Sequence, residues 1–291
     1  MTMLGADDLV ELLDDAGALS RRFPVWLCDV WGVVHDGETA SQTACAALER
    51  HRKAGGTVIL ITNAPRPSTA ILPQLEYMSV SPDCYDAIVS SGDVTRHLVS
   101  QWAGRNVYHL GPEKDLALLE GLPVTFTRLD EADVILCSGL LNDDQESPES
   151  YRGRLTEMNE LGLPMICANP DKVVRKGAEL LPCAGALADI YTELGGTVEM
   201  AGKPFPPIYD ECLRQAAGKR GEMPALDHVL AIGDGLSTDV KGAAAYGINI
   251  LFIVTGIHEY EFGSAGADVL TGRVRQAAPT VQIAGIMTGL R

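Results

Sequence analysis

The sequence predicts an α/β fold: a parallel β-sheet with crossover helices and a second α/β domain inserted into it. Three observations carry that prediction. Short continuous apolar runs recur at strand length at 25–28, 57–61, 228–232 and 248–254. Runs without polar alternation belong to strands covered on both faces. Helical segments separate them, and a strand–helix–strand order gives parallel neighbours joined by right-handed crossovers. Finally, the block 93–196 has a complete α/β rhythm of its own, which assigns 1–92 and 197–291 to the core domain and 93–196 to the insert.

Residues 6–16 set Leu9, Val10, Leu12 and Leu13 among acids and predict a short amphipathic helix on the outside of the core. Val25 to Cys28 is the first strand; it ends on Asp29 and breaks at Gly32. Thr43 to Ala54 is a helix, with Ala46, Ala47 and Leu48 inward, Glu49, Arg50, Arg52 and Lys53 outward, and Gly55-Gly56 as its stop. Thr57 to Ile61 is a strand running into Thr62-Asn63, where Pro65 and Pro67 forbid its continuation. Ser68 to Met78 is a helix broken or begun at Pro73, Tyr85 to Val89 a strand, and Asp93 to Trp102 a helix.

In the insert, Val107 to Leu110, Val124 to Thr127, Val134 to Cys137 and Met165 to Ala168 are strands. Glu113 to Glu120, Tyr151 to Leu161 and Gly185 to Leu194 are helices, and Asn142 to Ser150 is a polar loop. A helix from Pro207 to Ala217 follows, then a strand from His228 to Ile232 that ends in Gly233-Asp234. Thr238 to Tyr246 is a helix and Ile248 to Val254 the final central strand. The tail, 259–291, is loop-rich with a helix near Thr280 to Met287.

Composition bounds the function. A chain of 291 residues makes one large or two moderate domains. A net charge of −16 excludes the basic footprint of a nucleic-acid binder and disfavours an anionic membrane surface. The seven cysteines form no C-x-x-C pair, and several lie in apolar runs, which points to a reducing cytoplasm. The acidic N-terminus does not read as a targeting segment, and no apolar run approaches 18 residues.

Four stretches carry the chemistry: Asp29 at a strand end, Leu60-Ile61-Thr62-Asn63, Ala201-Gly202-Lys203-Pro204, and Ile232 to Asp239. A carboxylate just past a buried strand stands where open α/β sheets place their sites, and Asp29 is suited to attack phosphorus as a nucleophile. Taken alone, it reads as an acid that caps the following turn; the other three stretches, in order, are what favour the nucleophile. Thr62 and Asn63 can offer a hydroxyl and backbone N–H groups to phosphate oxygens, or can be turn residues. Lys203 can neutralise phosphate, or lie at the surface before a proline turn. Asp234 and Asp239, spanning a strand end, a turn and a helix start, can bind Mg²⁺ through hard oxygens; Asp239 also fits a first-turn helix acid.

Together the four stretches resemble the haloacid dehalogenase-like (HAD) hydrolase superfamily. Within it they resemble class IIA, the NagD-like sugar and nucleotide phosphatases, whose T-N-P-D stretch is similar to Cys167-Ala168-Asn169-Pro170-Asp171. The resemblance implies a Rossmann-like doubly wound core with an inserted C2-type α/β cap, and a Mg²⁺-dependent phosphatase of a small phosphorylated metabolite. It assigns Asp29 as nucleophile, Thr62 and Asn63 as phosphate binders, Lys203 as charge stabiliser, and Asp29, Asp234, Asp239 and the Trp31 carbonyl to the metal. A homodimer is a further implication.

One departure stands out. These phosphatases carry D-x-D-G, whose second acid protonates the leaving oxygen and then activates water, whereas this chain has Asp29-Val30-Trp31-Gly32. Losing general acid–base help costs about 10²–10⁴-fold in rate, most for poor leaving groups. His35 or Asp36 is a candidate replacement. Two other functions are weighed against the phosphatase. Metal-independent dehalogenation is motivated by the aromatic residue at 31 and opposed by the retained metal carboxylates. A weak or inactive protein that binds a phosphorylated ligand or a partner is motivated by the missing acid.

Overall fold

The computed structural model of the chain describes residues 10–142, 145–176, 179–256 and 265–291. The chain divides into two compact units. The first is drawn from the segments up to Thr62, from Leu72 to Val89, and from Tyr209 onward. It is built on a sheet of β1 (Val25–Asp29), β2 (Thr57–Thr62), β3 (Ala87–Ser90), β11 (Val229–Gly233), β12 (Asn249–Ile253) and β13 (Gln282–Met287). Its order is β13-β12-β11-β1-β2-β3. β1 pairs parallel with both β2 and β11, and the parallel pairing continues through β12 to β13. Every residue of β1, β2, β11 and β12 is buried, which is why these strands read as unbroken apolar runs.

The second unit comprises Asn63–Ile71 and Ser90–Ile208. Its sheet holds β4 (Asn106–Leu110), β5 (Thr125–Phe126), β6 (Val134–Cys137), β7 (Met165–Cys167) and β10 (Val198–Met200), in the order β10-β7-β6-β4-β5 and parallel throughout. Leu110, Ile135, Leu155, Met158, Leu187 and Tyr191 are the centre of its apolar core. A short antiparallel pair, β8 (Val173–Lys176) with β9 (Glu179–Pro182), stands apart from that sheet. The α/β class with an inserted second α/β sheet is therefore as the sequence predicts.

Several elements differ from expectation. Residues 10–16 form no helix: Leu12 bridges Ile286, and the Leu13 N–H donates to the Ile286 carbonyl at 2.8 Å. The apolar pair there serves a sheet edge, and α1 begins only at Gly17 (Gly17–Arg22). The rest of that expected helix, residues 6–9, lies outside the described residues. In α2 (Gln42–Lys53) Ala46 faces outward, while Ala44, Cys45 and His51 join Ala47 and Leu48 inside. Residues 280–287 are not a helix. Gln282–Met287 is strand β13, completing the sheet beside β12, and among the described residues the helix of the tail is Ala267–Ala277. Strands β8, β9 and β10 were not expected, because runs of three or four residues are too short to display a period.

Candidate active site

β1 is an interior strand of its sheet, and the connectivity reverses beside it: β2 and β3 lie on one side, β11, β12 and β13 on the other. Loops leaving the carboxyl ends of two such strands part in opposite directions and open a crevice, the usual ligand position in open α/β sheets. Asp29 is the last residue of β1, and Asp234 directly follows β11. The register sets Cys28 beside Ile232 and Asp29 beside Ile61, so Asp29, Asp234 and Thr62 all stand at this one edge.

Asp239 comes from a single π-helical turn, Leu236–Val240, just past Asp234. All three carboxylates are buried, and each offers an oxygen within 4.8 Å of the others. Asp29 Oδ1 accepts the Val30 N–H at 2.8 Å. Asp239 Oδ2 accepts the Gly235 N–H at 3.0 Å and the Thr238 hydroxyl at 3.3 Å. Three like-charged groups this close raise one another's energy unless a proton or cation intervenes. An all-oxygen donor set of this kind fits a hard divalent ion such as Mg²⁺ or Ca²⁺.

Backbone shape makes room for the cluster. Gly32 has φ +84°, and its Cα abuts the Asp234 carboxylate so closely that any side chain there would overlap it. Gly256, with φ +113°, presses on the same carboxylate from a segment far away in sequence. Sequence reading noted Gly32 only as a strand break and missed Gly256, since nothing local marks its contact.

The turn after Asp29 settles where the candidate replacements for the missing acid sit. Asp36 is exposed and committed to its own turn: Oδ1 accepts the N–H groups of Glu38 at 2.9 Å and Thr39 at 2.7 Å, and Oδ2 accepts the Thr39 hydroxyl at 3.2 Å. Those backbone hydrogen bonds, Thr39's first, hold its pKa below the usual carboxylate range, the wrong direction for a proton donor. His35 is buried, and burial lowers its pKa, with Asp36 opposing. Its Nδ1 accepts the Gly37 N–H at 3.1 Å, which leaves the proton of the neutral ring on Nε2. Trp31 lies edge-on to His35, with 5.3 Å between ring centroids and 75° between planes.

Asn63 and Lys203 belong to the second unit, where hydrogen bonds join them. The Lys203 N–H donates to Asn63 Oδ1 at 2.7 Å, and Asn63 Nδ2 donates to the Lys203 carbonyl at 3.1 Å and to Asp171 Oδ1 at 2.8 Å. Asn63 and Lys203 are both buried, and Gly202 fits closely against Asn63, Pro170 and Ser91. Asp171, from the Asn-Pro-Asp stretch, is the third member of this network.

The chain is similar to known proteins over most of its length. A family described as haloacid dehalogenase-like hydrolase matches residues 26–125, and one described as HAD-hydrolase-like matches residues 200–278. A crystal structure of a haloacid dehalogenase-like family hydrolase from Brucella suis is 40% identical, covering 96% of this chain and 100% of that one, with a TM-score of 0.84. The D-glycerol 3-phosphate phosphatase of Mycobacterium tuberculosis is 26% identical over 251 residues, 83% of this chain and 65% of that protein. The dihydroxyacetone phosphatase of Corynebacterium glutamicum is 30% identical over 113 residues, 38% of this chain and 39% of that protein. The chain thus spans less than two thirds of the length of these two curated relatives.

Proposed function

The chain belongs to the haloacid dehalogenase-like hydrolases, and from that premise we propose that it is a Mg²⁺-dependent phosphatase of a small phosphorylated metabolite. The observation that carries the reading is the convergence of Asp29, Asp234 and Asp239, buried together at the sheet's switch point. The names of the relatives, a glycerol phosphate phosphatase and a dihydroxyacetone phosphatase, support a small phosphomonoester as substrate.

In this reading Asp29, Asp234, Asp239 and the Trp31 carbonyl hold Mg²⁺, which when bound offsets the charge of the phosphate. Asp29 attacks phosphorus, the ester oxygen leaves, and water then cleaves the aspartyl phosphate. Thr62 and Asn63 hold phosphate oxygens and Lys203 stabilises their charge. Asn63 is suited to its role because three hydrogen bonds fix its amide orientation. The block 93–196 acts as the cap, and the homodimer expected from the family belongs to the same reading, with light scattering as its check.

The test is phosphate release from sugar phosphates, nucleotides, and acyl and aryl phosphates, with and without Mg²⁺, beside Asp29→Asn. Mg²⁺-dependent turnover abolished by that substitution is the expected result. No release from any member by folded, Mg²⁺-loaded protein would overturn it in favour of a binding protein on a phosphatase scaffold.

A further inference from the structure

We propose that Cys45 and Cys84 are a modification site, a thiol pair that hydrogen peroxide oxidises to a reversible intramolecular disulfide between α2 and the turn preceding β3. Both cysteines belong to the first unit. The pair takes no part in the phosphatase reading, and either stands without the other.

Cys45 lies at the start of α2, and Cys84 closes the short turn Pro82–Cys84. They stand 39 positions apart in the chain. Even so, the Cys84 thiol lies 3.5 Å from the Cys45 carbonyl oxygen and in hydrogen-bond contact with the Cys45 thiol. Other bonds hold the two carriers together. Arg52, further along α2, donates from Nη1 to the carbonyls of Pro82 and Asp83, and from Nη2 to Asp86 Oδ1 at 2.8 Å. Asp86 Oδ2 accepts the Val58 N–H at 2.8 Å, which ties the same segment to β2. Within the turn, the Ser81 hydroxyl accepts the Asp83 N–H at 3.1 Å and the Ser81 carbonyl accepts the Cys84 N–H at 3.0 Å. Two thiols already held in contact lose little freedom when a bond forms between them.

The two thiols are placed unequally, and the inequality assigns their roles. The Cys84 thiol donates to the Cys45 sulfur, and that hydrogen bond first, with one from the Ser81 N–H, holds the Cys45 pKa below the usual thiol value despite burial. The same bond to Cys45, with burial, raises that of Cys84. Cys45 is 6% exposed and Cys84 1%, so the more acidic thiol is also the more accessible. Thiolate is the form that attacks peroxide. The Cys45 sulfur bonds to one peroxide oxygen, the oxygen–oxygen bond breaks, and hydroxide leaves and takes up the proton that Cys45 gave up. The product is a sulfenic acid. The Cys84 sulfur then bonds to the Cys45 sulfur, the sulfur–oxygen bond breaks, and the departing hydroxide leaves as water with the Cys84 proton. The two sulfurs lose two electrons and the peroxide becomes two waters; a thiol reductant reverses the bond by exchange. Cys137 and Cys167, register neighbours on β6 and β7, are the competing pair. Both are fully buried, and burial pushes the Cys137 thiol up to about 12 and raises that of Cys167 as well, so neither supplies a thiolate.

The experiment treats wild type, Cys45→Ala and Cys84→Ala with hydrogen peroxide, blocks the remaining thiols by alkylation in denaturant, and maps the peptides by mass spectrometry. Of its seven thiols, wild type should lose two, in one linked peptide that joins Cys45 to Cys84 and that dithiothreitol separates. Cys84→Ala should stop at a Cys45 sulfenic acid, trapped by dimedone. Cys45→Ala should keep its Cys84 thiol at the peroxide dose that converts wild type. Oxidised wild type should gain roughly 3–8 °C in Tm, because the bond restricts the unfolded chain, and should lose the gain on reduction. Wild type that keeps all its thiols, thiol loss without the linked peptide, or a link between Cys137 and Cys167 in its place would overturn the proposal. The wild-type map decides by itself if either variant does not fold.

Discussion

His51 lies flat on Trp26, with 3.9 Å between ring centroids and 3° between planes, and its Nδ1 meets the Ser20 hydroxyl at 2.6 Å. Burial pushes its pKa down to about 4. An unfolded chain protonates this ring near pH 6.5 and the folded one does not until about pH 4, so the unfolded state binds more protons in between. Stability is therefore complete above pH 6.5 and declines as pH falls toward 4, by at most about 3 kcal/mol. His51→Phe should keep the stack and lose about 1 kcal/mol at pH 7.5 with the Ser20 hydrogen bond. Its Tm should then fall less than that of wild type between pH 7.5 and 4.5; an equal fall would show that His51 does not titrate this way. A residue such as His51 is not legible in sequence, because it sits among Arg50, Arg52 and Lys53 and reads as part of a charged helix end. Asp29 and Asp234 are legible because each stands at the carboxyl end of a buried apolar run that announces where the sheet edge lies, Asp29 as the last residue of β1 and Asp234 just past β11.

At the scale of elements, the same contrast separates local signals from distant ones. Helix α4 (Ser91–Ser100) begins with a capping box: Ser90 Oγ accepts the Asp93 N–H at 3.0 Å, and Asp93 Oδ2 accepts the Ser90 N–H at 3.1 Å. Asp93 Oδ1 also accepts the N–H and hydroxyl of Ser68, at 3.0 and 3.2 Å, where the next-earlier helix (Ser68–Tyr77) starts. One carboxylate thus serves two helix starts. Asp93→Ala should destabilise by about 1–2 kcal/mol, more than loss of an ordinary single cap, seen as a lower denaturant midpoint at unchanged slope. Ser90→Ala, which spares the Ser68 bonds, should cost less; the reverse order would refute the double role. Sequence placed this helix within two residues of its start because capping and apolar period are local. It mistook β13 for a helix because Gln282–Met287 owes its conformation to pairing with β12 and to the bridge from Leu12, contacts formed by distant parts of the chain.

For the whole molecule, distance along the chain becomes a measurable quantity. Asp29 ends β1, while Asp234 and Asp239 lie in the turn that follows β11. Unfolding scatters them, so a cation that needs all three binds the folded chain alone, and its binding free energy appears as stability. At a Mg²⁺ concentration a hundred times its dissociation constant the gain is about 2.7 kcal/mol. A chain of net charge −16 attracts divalent ions diffusely as well, so a rise in Tm by itself does not identify the site. Asp234→Asn separates the two contributions, because it removes one donor of the cluster and barely changes the overall charge. Wild type should gain stability logarithmically with Mg²⁺ and lose it in a chelator, whereas Asp234→Asn should respond weakly at every concentration. Equal responses in the two proteins would place the ion on the general acidic surface and leave the three carboxylates without a metal role. A response confined to wild type would tie the cluster to the ion without reference to turnover, and so would hold even if Trp31 makes catalysis slow.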